Sequence, residues 1–369
     1  MIIGVPRERK TLEKRIALTP EGAVQLVARG HTVLIETDAG AGSFFENALY
    51  EKAGAKIVGT LAEVWNKAEL IVKVKEPHES EFPFFRAGLA LFDYLHLASL
   101  PAVAEHLVKA KVTAIAYELV QTSAGRLPLL EPMSEVAGKL AVLNGANFLL
   151  SQNGGRGILL GGTNETAPAE VVIIGAGISG MAACEVAVGA GAHVTILDIS
   201  ADKLEKARLK FGRAVRALPS NSASLPREIA NADILIGAVL VPGAAAPKII
   251  SRDMIRGMKK GAVFVDISID QGGCSQTSKP TNLDAPVFLD EGVIHYGVCN
   301  MPAQTPRTST MALTNTTLPY IIKLADMGIA AALKNNAELR GALNTKDGFI
   351  TNKAVSDALK MEFREFTDR

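Results

Sequence analysis

A strand-like run, Val171-Val172-Ile173-Ile174, leads directly into Gly175-Ala176-Gly177-Ile178-Ser179-Gly180, and a helix-like stretch follows as far as Gly191. Each glycine in this G-x-G-x-x-G spacing has a physical task. The first permits a tight turn, the second lets backbone approach a pyrophosphate, and the third lets helix and strand pack closely. The helix start then offers unpaired N–H groups and the positive end of its dipole to phosphate. Alone the spacing is a weak signal, because glycine-rich turns also serve packing. A second strand, HVTIL, ends at Asp198, about 20 residues onward, where a carboxylate can accept hydrogen bonds from ribose hydroxyls. Together the two features read as a dinucleotide site. The carboxylate would repel a 2′-phosphate, which favours NAD over NADP; Lys203 and Arg208 just beyond it soften that preference.

Such a loop needs a sheet beneath it, and the pattern supplies one. IIGV (2–5), TVLIE (32–36), AKIV (55–58), LIVKVK (70–75), LALFDYL (89–95) and VTAIAYE (112–118) alternate with helix-like stretches, as in a parallel sheet with crossover helices. TPEGAVQLVARG (19–30) carries Thr-Pro at its start and Gly at its end, which are helix start and stop signals. After a longer helical pattern at 129–150, the segment SQNGGRGILLGGTNETAPAE (151–170) is rich in glycine. A second alternation follows: VVIIG, HVTILD, ILIGAVL (234–240), AVFVDIS (262–268) and VIHYGV (293–298). TSTMALTNTTLPYIIKLADMGIAAAL (308–333) reads as one long helix returning the chain to the first domain. The expected fold class is therefore α/β, with two Rossmann-like domains and mainly parallel sheets. Residues 1–128 plus 307–369 form a discontinuous substrate domain and 129–306 the NAD-binding domain.

Composition narrows the function classes. The chain has 369 residues, Lys+Arg 39 against Asp+Glu 38 and a net charge of +1, so nothing suggests a nucleic-acid or acidic-membrane partner. Its longest apolar run, 171–184, stops at Glu185, short of the roughly 20 residues that span a bilayer. Cys184, Cys274 and Cys299 are odd in number and show no CxxC spacing, which points away from a disulfide framework or a zinc site and towards a reducing cytoplasm. No metal is expected.

Several further segments resemble, in order, the alanine dehydrogenase family, to which the soluble part of proton-translocating nicotinamide nucleotide transhydrogenase is related. They are IGVPRERKTLEKRIALTPEGAVQLVARGH, VKVKEP, YLHLA, GAGISG, VDISIDQGGC, HYGVCNMP and TSTMALTNTTLPY, and they cover nearly the whole chain. The resemblance implies substrate-binding cations at Arg15 and Lys75, a catalytic histidine at His96 and a catalytic carboxylate at Asp270. It also implies cofactor contacts at Ser134, Gly175, Gly177, Ile178, Ser179, Gly180, Asp198, Lys203, Ser220, Val239, Leu240, Ile267, Ser268, Ile269, Asp270, Val298, Cys299, Asn300 and Met301. Lys203 stands where some members have arginine, and Ala303-Gln304 departs from a glycine-containing NMPG turn. The activity so implied is reversible NAD-dependent oxidative deamination of L-alanine to pyruvate and ammonium, in a cytoplasmic homo-oligomer expected to be a hexamer.

Those residue types suit that chemistry. Arg15 and Lys75 can clamp a carboxylate, and Lys75 can polarise a developing carbonyl. An imidazole, with a reference pKa of about 6.5, can accept and return protons in the working range. Asp270 can steer the attacking water. Each also has a bland reading, as a core histidine, a solvated cation or a turn-capping aspartate. Against these, Lys75 and His96 sit at or just past strand ends and Asp270 follows AVFVDIS, and ligands of open α/β sheets bind at the carboxyl ends of strands. Rival readings are a transhydrogenase subunit, a lysine-pathway or opine-type dehydrogenase, and an NAD-binding sensor without turnover. The transhydrogenase-type Arg-Gln-Asp loop is not evident near Ser134, and DQGGC favours the dehydrogenase.

Overall fold

The structure, a computed structural model, describes residues 1–239 and 246–366. Two compact units result, Met1–Met133 with Ala303–Arg369, and Ser134–Pro302. The sequence had suggested division at 128/129 and 306/307.

The first unit begins with β1 (Ile2–Val5), β2 (Thr32–Glu36), β3 (Lys56–Val58), β4 (Leu70–Val72), β5 (Ala90–Asp93) and β6 (Thr113–Ala116). These strands pair in parallel in the order β6-β5-β4-β1-β2-β3. The order reverses at β1, which lies between β2 and β4, and this creates the crevice where doubly wound sheets bind ligands. Thr19 caps the helix Pro20–Ala28, its hydroxyl accepting from Gly22 N at 3.2 Å. One face of the sheet is closed by a core that includes Val64, Trp65, Leu91, Leu95 and Leu107.

In the second unit the strands are β7 (Glu170–Ile174), β8 (His193–Asp198), β9 (Val215–Pro219), β10 (Ile234–Gly237), β11 (Val263–Asp266), β12 (Val287–Asp290) and β13 (Val293–Tyr296), ordered β12-β13-β11-β10-β7-β8-β9. All pairs are parallel except β12–β13. Here the order reverses at β7, the strand that carries the glycine loop. Ile174, Leu197, Ile229, Leu235 and Phe264 belong to its core.

Two further strands complete the first sheet. β14 (Leu343–Lys346) adds antiparallel to β6, and β15 (Phe349–Ile350) antiparallel to β14. The single helix expected over 308–333 is instead two, Pro306–Met327 and Ile329–Asn335, bent by 116°. Gly328 makes the break at φ 78°, ψ 151°, a conformation open to glycine and closed to side chains with a Cβ. No single helix among the described residues is long and apolar enough to cross a membrane.

Several apolar runs outlast their strands. LIVKVK continues to Lys75 but β4 ends at Val72, because a glutamate replaces the neighbouring strand as acceptor. Glu8 takes the N–H of Val74 at 2.6 Å and of Lys75 at 3.4 Å.

Candidate functional site

Three of the sequence-identified residues lie beyond the carboxyl ends of strands in the first unit. Lys75 and His96 follow β4 and β5, and Arg15 lies in the loop after β1. They gather about Tyr94. The Lys75 ammonium is 6.0 Å from the Tyr94 ring centre, and the His96 imidazole stacks on the same ring at 6.0 Å with the planes 4° apart. Tyr94 is itself pinned, its hydroxyl donating to the carbonyl of Leu129 and its ring meeting Tyr117 edge-on. Burial pushes its hydroxyl pKa up, and the Arg15 charge opposes that shift.

Arg15 is only 2% exposed. Its Nε donates to Glu13 Oε1 at 2.7 Å, Nη2 donates to Oε2, and Nη1 reaches Met133 Sδ at 3.2 Å. Burial works against the guanidinium charge, but Glu13 outweighs it and holds the pKa above the usual value. Around Lys75 the acids are as well ordered. Buried Lys73 pairs with Glu81 at 2.9 Å and with Glu8 at 3.4 Å, and burial raises the Glu8 carboxyl to about 7 against the pull of Lys73. His96 takes a left-handed backbone, φ 48°, ψ 34°. Its N–H donates to Glu118 Oε1 at 2.6 Å, and Leu95 N–H donates to Oε2 at 3.2 Å.

Glu8, Glu13, Glu118 and Tyr94 were absent from the sequence-level candidates. Glu13 and Tyr94 each stand two residues from a candidate, the only local hint. Glu8, among charged neighbours, reads as solvated, and Glu118 reads only as the polar end of the apolar run VTAIAYE.

In the second unit the cofactor candidates follow one another along the carboxyl edge of the sheet. Gly175, at φ 106°, turns the chain off β7, and a Cβ there would stand 2.3 Å from the Ala238 carbonyl oxygen. A Cβ on Gly180 would meet the Gly175 carbonyl oxygen at 1.8 Å, whereas one on Gly177 would meet nothing within 4 Å among the described residues. The middle position thus leaves the open approach that a pyrophosphate needs. The helix Ile178–Gly189 has no side-chain cap, so Ile178 and Ser179 present its first-turn backbone donors to an anion. Gly138 packs against this start, where a Cβ would lie 2.1 Å from the Ser179 carbonyl oxygen. Ser134 stands one turn earlier on the same helix, Glu131–Leu149.

On one side of this loop, buried Asp198 accepts from Ala176 N at 2.7 Å and Ser200 N at 2.8 Å, with the Lys203 ammonium 3.8 Å away. Ser220 N donates to the Asp198 carbonyl at 2.9 Å. On the other side, Ser268 accepts from Val239 N at 3.1 Å and donates to its carbonyl at 2.7 Å. Ile267, Ser268, Ile269 and Asp270 share the tight turn Ile267–Gln271. Asp270 accepts from Asn300 N at 3.1 Å, which brings that turn to Val298, Cys299, Asn300 and Met301. Beneath both turns lies Asp266, another residue missed in the sequence. Its carboxylate accepts from the N–H groups of Ser268 and Cys274, each at 3.0 Å, and from the Ser278 hydroxyl. Leu240 lies outside the described residues. Ala303 falls in the 3-10 turn Met301–Gln304, which takes no left-handed backbone at that position, so alanine suffices where a glycine had been expected.

Burial holds the Cys274 thiol pKa well above its usual value beside Asp266, which fits a packing role. Among the described residues no three His, Cys, Asp or Glu side chains converge as metal ligands.

Residues 4–137 match the family described as Alanine dehydrogenase/PNT, N-terminal domain, and residues 141–353 its C-terminal domain. "Alanine dehydrogenase 2" of Staphylococcus aureus (strain USA300) is 49% identical over 365 residues, covering 99% of this chain and 98% of that protein. A solved L-alanine dehydrogenase superposes with a TM-score of 0.95 at 45% identity, covering 98% of this chain and 99% of the other. A transhydrogenase from Sinorhizobium meliloti shares the fold, with a TM-score of 0.80 at 23% identity over 96% of this chain and all of that one. With both domains matched and close likeness along its whole length, the chain belongs to the alanine dehydrogenase/PNT family.

Proposed function

We propose that this protein is an NAD-dependent alanine dehydrogenase, which oxidises L-alanine with water to pyruvate and ammonium and yields NADH and a proton. The observation that carries the reading from geometry is the cluster at Tyr94, which gathers the Lys75 ammonium and the His96 imidazole at the carboxyl edge of one sheet, a cation able to bind a carboxylate beside a group able to accept a proton. The glycine loop and Asp198 would hold the dinucleotide, and bound NAD would supply the hydride acceptor for the substrate Cα. Arg15, pre-set by Glu13, binds the substrate carboxylate through its guanidinium. Lys75 shares that carboxylate and polarises the carbonyl as it forms. His96 takes the proton released at nitrogen and returns it later, and Asp270 orients water for attack on the imine carbon.

A homohexamer working in the cytoplasm belongs to the same reading, with 151–168 as the contact segment between subunits. The direct test is NADH formation at 340 nm (an ordinary absorbance assay) with alanine, glycine, serine and lysine in turn. Alanine is expected to give the largest kcat/KM; a clear preference for lysine, or no turnover with any of them, would overturn the reading.

Cofactor choice follows from Asp198. Asp198→Ala removes both the ribose acceptor and the repulsion of a 2′-phosphate, so the NAD:NADP ratio of kcat/KM should fall roughly 10- to 100-fold, about 1.5–3 kcal/mol. Because Asp198 also holds Ala176 N, NAD binding itself should weaken. An unchanged ratio in steady-state kinetics would remove Asp198 from cofactor discrimination.

A further inference from the structure

The His96 ring is loosely held for a group that must meet a substrate proton. Its side chain is 42% exposed, and its aromatic contact among the described residues is the 6.0 Å stack on Tyr94. Its backbone, by contrast, is tightly fixed in a conformation that costs an L-residue roughly 1–2 kcal/mol. The stabilising partner comes from the neighbouring strand. Glu118 stands in the turn Tyr117–Leu119 just after β6, and β6 pairs with β5, the strand that leads to His96. One oxygen of Glu118 accepts from Leu95 N and the other from His96 N. The oxygen bonded to His96 N is also 3.7 Å from His96 Nδ1.

We propose that Glu118 is a positioning residue for the reaction: it clamps the two N–H groups that lead into His96 and directs the imidazole so that Nε2 carries the substrate proton. This rests on His96 being the acid–base group. A carboxylate with both oxygens bonded to successive backbone N–H groups fixes where the strand ends and how the next residue turns. Glu118 lies 3.7 Å from Nδ1, a short ring rotation from hydrogen-bond reach; with an Nδ1–H turned to that carboxylate, Nε2 is the nitrogen left to accept. No other acid among the described residues forms an ion pair with His96. The arrangement matches what Glu13 does for Arg15 and Glu8 for the backbone of Lys75, so a glutamate holds each of the three site residues of this unit.

The test is a double-mutant cycle in the full-length enzyme with Glu118→Gln and His96→Gln. Glu118→Gln keeps the side-chain shape but replaces one acceptor oxygen by a donor, facing an N–H that needs an acceptor. In the wild-type background kcat should fall roughly 10- to 100-fold, the range for removing a partner that orients a functional histidine. The KM for alanine and the Kd for NAD, from fluorescence titration, should change less than about threefold. In the His96→Gln background the same change should alter kcat by less than about threefold, since a residue acting through His96 has nothing left to position. Equal losses in both backgrounds would make Glu118 a general structural residue and overturn the proposal, as would an undiminished kcat for Glu118→Gln alone. If Glu118→Gln does not fold, the cycle is run with Glu118→Asp, which keeps the charge but shortens the reach, with the same expectations. Near-normal turnover of His96→Gln alone would be a different failure, removing the acid–base reading on which the clamp depends.

Discussion

His96→Gln is expected to lower kcat by roughly 10²–10⁴ while NAD affinity stays nearly unchanged. The magnitude is that of lost general acid–base help, because glutamine keeps much of the ring's volume and hydrogen-bonding capacity but cannot take up a proton. The cofactor should be indifferent, since the glycine loop, Asp198 and the Ser268–Val239 contact all lie in the other unit of the chain. The main-chain contact to Glu118 does not involve the imidazole, so the left-handed turn at residue 96 should survive and the variant should melt within a few degrees of the parent. Saturating alanine and NAD are needed to read kcat itself. Near-normal kcat across the working pH range would make His96 a stacked surface residue and nothing more.

Arg15→Met should damage both folding and substrate binding, and the two effects can be separated. The guanidinium is buried with the Glu13 carboxylate. Removing one member of a buried pair typically costs about 3–5 kcal/mol, largely because the other charge is left in a medium that solvates it poorly. Glu8 lies close enough that Glu13 raises its pKa, so the local excess of negative charge grows. Differential scanning calorimetry should therefore show a lower Tm at neutral pH, by about 2–4 °C per kcal/mol for a unit of this size. Adding Glu13→Gln should restore much of that loss. It should not restore kcat/KM for alanine, which is expected to drop roughly 100-fold with the carboxylate contact, about 3 kcal/mol. Full recovery of kcat/KM in the double variant would mean that Arg15 serves the fold alone.

The parts of this molecule that could be read from the chain were those whose causes are local. The Pro20–Ala28 helix announces itself through Thr19, Pro20 and a Gly30 at φ 83°. The glycine loop does so because each of its glycines answers a steric demand within a few residues or on the next strand. β14 was missed for the opposite reason: its residues, LNTK, look like a loop. Asn344 and Thr345 are nonetheless buried, and the Thr345 hydroxyl donates to the Val112 carbonyl at 2.9 Å, a partner more than two hundred positions away. Two acids of the first unit are illegible in the same way. Glu8 and Glu118 acquire their meaning only when the carboxyl ends of β1, β4, β5 and β6 have been brought side by side, whereas Glu13 meets Arg15 two residues along the chain.

The pairing of β14 with β6 bears on how the protein is made. Residues 134–302 are contiguous, so the second unit has every strand it needs soon after β13 is synthesised. The first unit must wait. Ile16 N donates to the Thr310 hydroxyl at 3.1 Å, Ser43 bonds the same hydroxyl, and the edge of β6 is covered only by β14. Translation at about 5–20 residues per second would therefore hold the amino-terminal strands of the nascent chain on the ribosome for about 10 seconds or more. Throughout that interval β6 presents an uncovered edge to its surroundings, the kind of surface that recruits other strands and that chaperones guard. The sheet whose strands are begun earlier is the later to be completed, and while the chain is being made its vulnerable part is the edge of β6.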